Sequence, residues 1–330
     1  MRRQIKVDSI KEVIQGKEYS FLKDDTDLKD IIFLTISGSY AYGTNNSSSD
    51  IDLRGVALEH PKYLYGLNSF EQFEDHETDT VIFGLKKYIS LCVNANPSAL
   101  ELLGTNDECI VKITKAGELL RENVSIFLSK RVIQSYGNYA SSQLRRLENA
   151  LCHDQYNSAE QEEYLLKTLN AQMEHFNDTY TPLEEKLRMY LSNEIEPQLV
   201  FDVDLKAYPV REFAGLYGEI NNIVRTYGKM NHRNRKKDDA HLYKHAMHLI
   251  RLLIVGEDIL LGKGVISYRE QERELLLSIR NEKYTFEEIM EMTDYYQERF
   301  SKAANTTKLP AKPNIEKIES LMLKIYNMRK

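Results

Sequence analysis

The chain has no tryptophan and little cysteine, and the cysteines show no arrangement for a structural role. It contains 330 residues, among them three cysteines and seven prolines. An odd number of cysteines without CxxC spacing favours neither a disulfide framework nor a zinc site. We therefore expect buried free thiols at Cys92, Cys109 and Cys152.

Long apolar runs and an excess of basic charge are also missing. No run of eighteen apolar residues occurs, and the N-terminal sequence MRRQIKVDSIKEV has no apolar core of the signal-peptide kind. We therefore expect neither membrane spanning nor export. The formal net charge is −6, whereas proteins that coat nucleic acid through phosphate contacts carry a basic excess. These features predict a cytoplasmic globular protein with room for two domains.

One segment, Ile31 to Val56, contains the most informative pattern: IIFLTISGSYAYGTNNSSSDIDLRGV. The run IIFLTI is apolar, β-branched and bounded by turn residues, which predicts a buried strand. Gly38 and Ser39 follow it directly. Glycine lets the backbone approach a ligand closely, and a serine hydroxyl with backbone N–H groups at a helix start can hold phosphate oxygens. The segment therefore predicts a strand followed by a phosphate-binding turn.

Two acids follow the polar loop after this turn. Asp50 and Asp52 alternate with Ile51 and Leu53, and side chains in a strand alternate between faces. A strand here would point both carboxylates the same way. Neighbouring carboxylates repel each other unless a cation lies between them, and oxygen ligands suit Mg²⁺ or Mn²⁺. The pattern predicts a divalent metal site facing the phosphate-binding turn.

The motif GSYAYG followed by SDIDLRG resembles the signature of the DNA polymerase β-like nucleotidyltransferases. More narrowly, it resembles the YcgL-like predicted nucleotidyltransferases of bacteria and large phages. Two more segments share this likeness: NPSALELLGT (Asn96 to Thr105) and YKHAMHLIRLL (Tyr243 to Leu253). The resemblance implies that the protein moves an NMP from an NTP to an acceptor hydroxyl, with Mg²⁺ and release of pyrophosphate.

The resemblance also implies a third metal-binding carboxylate, later in the chain than Asp50 and Asp52. After Pro97, the run SALELLG predicts a short strand in which Glu101 shares a face with Ala99 and Leu103. A lone acid among apolar neighbours is costly unless it is paired or bound to metal. We predict Glu101 as the third carboxylate. The alternative is Asp79, just ahead of the predicted strand TVIFGL.

From about residue 107 the sequence consists mainly of long amphipathic helical patterns. We predict an α+β protein with two domains. Residues 1–106 would form a nucleotidyltransferase domain with a small mixed sheet and flanking helices. Residues 107–330 would form an all-helical domain that binds the nucleotide and the acceptor.

Within the helical part, HLYKHAMHLIRLLIVGEDILL contains a basic stripe. Lys244, His248 and Arg251 are spaced i, i+4 and i+7 and so share one helix face. The resemblance implies that this stripe closes over the triphosphate, and the alternative is a solvated face with partly packed histidines. Arg54 or Lys86 would neutralise charge on the departing pyrophosphate.

The acceptor is not encoded by a recognisable motif, because the sequence shows no RNA-reading module. We predict an RNA end, with a protein hydroxyl (AMPylation) or a small molecule as alternatives. Two other functions stay open. Arg235 and His241 form an R-x5-H spacing that resembles the ribonuclease motif of helical toxin domains. A non-catalytic scaffold is the other, although the intact Asp50 and Asp52 argue against it.

Overall fold

The computed structural model describes residues 7–46, 49–155, 158–179, 187–192, 198–231 and 239–329. The α-helices of this part are α1 (Val7–Val13), α2 (Phe21–Asp24), α3 (Gly38–Tyr42), α4 (Pro61–Tyr65), α5 (Leu85–Val93), α6 (Pro97–Leu103), α7 (Lys115–Glu122), α8 (Arg131–Gln155), α9 (Ser158–Thr179), α10 (Val210–Asn231), α11 (Asp239–Leu260), α12 (Arg273–Arg280), α13 (Phe286–Thr306) and α14 (Ile315–Asn327). The strands are β1 (Ile31–Ile36), β2 (Leu53–Ala57), β3 (Gln72–Asp75), β4 (Thr80–Gly84), β5 (Ile110–Ile113), β6 (Leu187–Ser192) and β7 (Gln198–Val203).

Five strands form a mixed sheet in the order β3-β4-β2-β1-β5. Strands β2 and β4 run parallel, and the other neighbours are antiparallel. All six residues of β1 are buried, as expected for an apolar β-branched run in the interior of a covered sheet. The predicted strands over IIFLTI and TVIFG are confirmed, and so is the α+β class.

The chain divides into two compact units. The first comprises Met1–Leu147 with Asp239–Lys330 and contains the mixed sheet. The second comprises Glu148–Asp238 and has an apolar core of its own that includes Phe176 and Leu216. It also contains β6 and β7, which pair as an antiparallel two-stranded sheet. The predicted C-terminal helical region is confirmed, and this hairpin is an addition that the helical patterns of the sequence do not predict.

The compact units do not follow the predicted boundary after residue 106. Strand β5 begins at Ile110 and pairs with β1, so that boundary would cut the sheet. Helices α11 to α14 lie in the same unit as the sheet. The first unit is therefore assembled from both ends of the sequence.

The segment SALELLG is helix α6 and not a strand, which corrects the prediction. The Asn96 side chain accepts a hydrogen bond from the Ala99 N–H at 3.1 Å, and Pro97 occupies the first helical turn. Asparagine at the cap followed by proline is a helix-start signal, because the cap satisfies an unpaired N–H and proline has the helical φ already.

Two further expectations concern cysteine and the membrane. Cys92 and Cys109 are buried free cysteines, as predicted, and the Cys152 side chain lies outside the described residues. Among the helices that the structure describes, none has the length and apolar character to cross a bilayer.

Candidate active site

Helix α3 begins directly after β1, and its first residue is required to be glycine. Gly38 has a φ of +59°, and a Cβ placed on it would lie 1.7 Å from Oδ2 of Asp52. A side chain here would strain the backbone and displace the carboxylate. The Ser37 N–H also donates to the Asp52 carbonyl oxygen at 2.7 Å. The structure thus brings the Gly38–Ser39 turn against Asp52.

Strand β2 starts at Leu53, so Asp50 and Asp52 precede the strand instead of lying in it. The predicted alternation of side chains therefore does not apply to them. Asp50 is exposed, whereas the Asp52 side chain is only 26% exposed. The two acids consequently have different surroundings.

The parallel pairing of β2 with β4 places a second acid beside Asp52. Leu53 is in register with Thr80, and the Leu53 N–H donates to the Asp79 carbonyl oxygen at 3.2 Å. Because neighbouring parallel strands begin at the same edge of a sheet, the residues that precede them lie side by side. The side chains of Asp52 and Asp79 interact directly. We refer to Asp52 and Asp79 as the acid pair.

The acid pair is electrostatically strained. Burial, and then the neighbouring Asp79, raise the pKa of Asp52 to about 7. The pKa of Asp79 is lowered, mainly because protonated Asp52 can donate to it and also because Arg54 lies close. Two adjacent carboxylates of this kind retain one proton between them near neutral pH. A divalent cation would remove the cost of ionising both, and so these side chains fit a metal site.

Arg54 joins the acid pair. Its Nη2 lies 2.9 Å from Oδ1 of Asp79 and 3.9 Å from Oδ1 of Asp52. Its Nη1 donates to the Asp79 carbonyl oxygen. The guanidinium therefore orients Asp79. Its predicted contact with pyrophosphate stays a prediction.

Glu101 lies in a different environment from the one predicted. On α6 its side chain is 3% exposed, and its Oε2 accepts a hydrogen bond from Nη1 of Arg251 at 2.7 Å. The Arg251 guanidinium also stacks 3.6 Å above the Tyr42 ring. The ion pair with Arg251 thus offsets the free-energy cost of burying the Glu101 carboxylate. The structure brings Asp79, and not Glu101, to Asp52.

The three residues of the predicted basic stripe on α11 differ in their exposure to solvent. Lys244 is exposed, and its charge acts on Asp52. His248 packs edge-on against Tyr42, with ring centroids 6.3 Å apart. Burial, and next the charge of Arg251, hold the pKa of His248 well below its ordinary value. His248 is therefore neutral, Arg251 is buried against Glu101, and only Lys244 presents a charge to solvent.

Lys86, predicted near the pyrophosphate, follows the end of β4 opposite to Asp79. Lys86 has an exposed side chain at the start of α5, and its backbone N–H donates to Oε1 of Glu59 at 2.8 Å. Arg235 and the His241 side chain lie outside the described residues. In the part of the chain that is described, no three acid, histidine or cysteine side chains are close enough to hold one metal ion.

Helix α12 supplies contacts that sequence reasoning missed. Arg273 Nε donates to the Gly43 carbonyl oxygen at 2.9 Å. Arg280 donates to the Thr44 carbonyl oxygen and, at 3.2 Å, to Oγ of Ser49. The signal was present in RELLLSIR, since residues seven apart share a helix face. Both arginines anchor the loop that connects α3 to Asp50.

Comparison with protein-family models gives a match over most of the chain. The model of a family described as an RNA repair pathway DNA polymerase beta family matches residues 9–324. A search of curated proteins found no match. The matched residues extend from α1 into α14 and so include the acid pair, α11 and α12.

Proposed function

Because the chain belongs to the RNA repair pathway DNA polymerase beta family, we propose that it transfers a nucleoside monophosphate from an NTP to an acceptor hydroxyl and releases pyrophosphate. The observation that carries this proposal is the acid pair packed against the Gly38–Ser39 turn. The two carboxylates suit a cation, and the Gly38–Ser39 turn suits a phosphate chain.

Asp52 and Asp79 are the residues that would hold Mg²⁺ or Mn²⁺, and the predicted ligand Asp50 lies exposed in the adjoining loop. Mg²⁺ in proteins is commonly bound by one or two carboxylates together with substrate phosphates, so a pair of acids suffices. When bound, the metal would stabilise negative charge on the transferred phosphoryl group and make the acceptor hydroxyl a better nucleophile. Asp79 takes the role predicted for Glu101.

The chain's own residues have distinct roles in this proposal. Gly38 leaves room for the Asp52 carboxylate against the turn, and the Ser39 hydroxyl would donate to phosphate oxygens. Arg54 fixes the orientation of Asp79 through its 2.9 Å contact. Lys244, exposed and acting on Asp52, supplies positive charge against the triphosphate. Charge-assisted bonds to phosphate are the strongest hydrogen bonds available for this purpose.

We propose an RNA end as the acceptor. Support comes from the family description, which names an RNA repair pathway. The net charge of −6 implies that RNA contacts are local and not a general basic coat. A protein hydroxyl is the second candidate acceptor.

The test is incubation with each α-phosphate-labelled NTP, Mg²⁺ and either total RNA or total protein. We expect label in RNA, in amounts matched by pyrophosphate release. Label only in protein would contradict the RNA acceptor but not nucleotidyl transfer. Labelling by Asp52→Asn equal to that of the wild type would contradict the proposed function.

A further inference from the structure

Arginine side chains in the sheet-containing unit commonly form an ion pair with a carboxylate. This holds for the ion pairs Arg54–Asp79, Arg121–Asp107, Arg251–Glu101, Arg269–Asp258, Arg299–Glu257 and Arg329–Asp30. In each pair, the negative charge of the acid offsets the guanidinium. An arginine without such a partner therefore differs from this pattern.

Arg280 is such an arginine, at the end of α12. Its two hydrogen bonds go to neutral oxygens, the Thr44 carbonyl and the Ser49 hydroxyl. Among the residues that the structure describes, no carboxylate lies within ion-pair distance of it. The side chain is half-buried, and this burial lowers its pKa. A partly desolvated cation without a counter-ion has lost hydration that no acid replaces.

The position of Arg280 relates it to the acid pair. Thr44 follows the helix α3 that begins with Gly38, and Ser49 precedes Asp50. The guanidinium therefore bridges both ends of the loop between the phosphate-binding turn and the acids. Its charge also acts on Asp50, Tyr40 and His248. This cation thus lies at the loop between the Gly38–Ser39 turn and Asp50.

We propose that Arg280 binds phosphate oxygens of the incoming NTP and so makes α12 part of the nucleotide site. The inference rests on the proposed function. A guanidinium has five N–H donors, of which Thr44 and Ser49 occupy two. The remaining donors permit the paired, parallel hydrogen bonds that arginine forms with phosphate. The loop contacts would hold the guanidinium in place before the nucleotide arrives.

The experiment measures equilibrium binding of an NTP, the matching NDP and NMP, and inorganic tripolyphosphate. The variants are Arg280→Gln and Arg280→Lys, with Arg273→Gln as the matched control on the same helix. For Arg280→Gln we expect NTP binding to weaken about ten- to a hundredfold, with a loss that increases from NMP to NTP. Arg280→Lys should fall between it and the wild type, because it retains the charge. Arg273→Gln removes only a loop contact, so any loss of binding that it causes should be equal for NMP, NDP and NTP.

Several results would overturn the proposal, and they are distinguishable. If the wild type binds NTP and Arg280→Gln binds it equally well, Arg280 is not a phosphate ligand and the proposed function survives. An equal loss for NMP, NDP and NTP would assign Arg280 to loop anchoring alone, as would failure of both Arg280 variants to fold. If the wild type binds no nucleotide or tripolyphosphate, the proposed function fails and the inference fails with it.

Discussion

Two acidic sites in this protein differ in their burial and in their balance of charge: Glu101 is buried, whereas the side chain of Asp52 is 26% exposed and that of Asp79 is 54% exposed. At the junction of α6 and α11, one carboxylate, Glu101, meets one guanidinium, Arg251, at 2.7 Å. At the edge of the sheet, two carboxylates share the single guanidinium of Arg54, and the pKa of Asp52 rises to about 7. At the first site the two opposite charges offset each other. At the second site, two ionised carboxylates would exceed the single guanidinium by one negative charge. A buried acid alone does not indicate a metal site, but an uncompensated pair of acids does.

The largest expected effect is a loss of stability when the Glu101–Arg251 ion pair is broken. Arg251→Ala leaves Glu101 buried without its partner, and the free energy of unfolding should fall by about 3–5 kcal/mol. The double variant Arg251→Met with Glu101→Leu should recover most of this loss, since it removes both charges. Denaturant unfolding measures both. A single variant as stable as the wild type would show that the ion pair does not hold α6 against α11.

A smaller effect is expected at Lys244, which is exposed and faces the unbalanced site. Lys244→Ala should weaken NTP binding about tenfold, as loss of one charge-assisted bond to phosphate implies. Its melting temperature should stay near that of the wild type, because exposed charges contribute little to folding. Titration calorimetry and thermal unfolding of the same sample distinguish binding from stability. Unchanged affinity would remove Lys244 from the nucleotide site.

The smallest expected effect is a pH dependence of the metal-free protein. The pKa of Asp52 is raised in the folded state, so folding favours the protonated form of this group. The contribution of protonated Asp52 to the free energy of unfolding is present near pH 4 and is lost as pH rises towards 7. We expect the loss to be roughly 1–2 kcal/mol, after discounting for partial exposure of Asp52 and the lowered pKa of Asp79.

Unfolding in EDTA at several pH values, compared between the wild type and Asp52→Asn, measures this contribution. The neutral variant should lack this part of the pH dependence, and Mg²⁺ should restore stability to the wild type at pH 7. If the stability of the two proteins depended on pH in the same way, the proposed excess of negative charge at the acid pair would be contradicted.

Local patterns predicted the parts of the site that depend on neighbouring residues. The apolar run of β1 and the Gly38–Ser39 helix start lie where the sequence indicates. The resemblance to polymerase β-like nucleotidyltransferases is confirmed by the family match. The narrower YcgL-like and phage grouping stays a prediction.

The choice between Glu101 and its alternative Asp79 depends on residues distant in sequence. Asp79 reaches Asp52 only because β2 and β4 pair in parallel, which no local pattern reveals. Glu101 is indeed a costly buried acid, as predicted, but its partner Arg251 lies 150 residues further along the chain. The sequence around Asn96 and Pro97 contains the start signal of α6, although the run after Pro97 predicts a strand.

The most direct test of the account is Mg²⁺-dependent pyrophosphate release by two variants. Asp79→Asn alters the unbalanced site, and the double variant Glu101→Leu with Arg251→Met alters the balanced one. We predict that Asp79→Asn stays folded and loses at least about a hundredfold in rate, while the folded double variant stays within about tenfold of the wild type. Wild-type activity in Asp79→Asn, with loss of activity in a folded double variant, would contradict the assignment of the metal site to the acid pair.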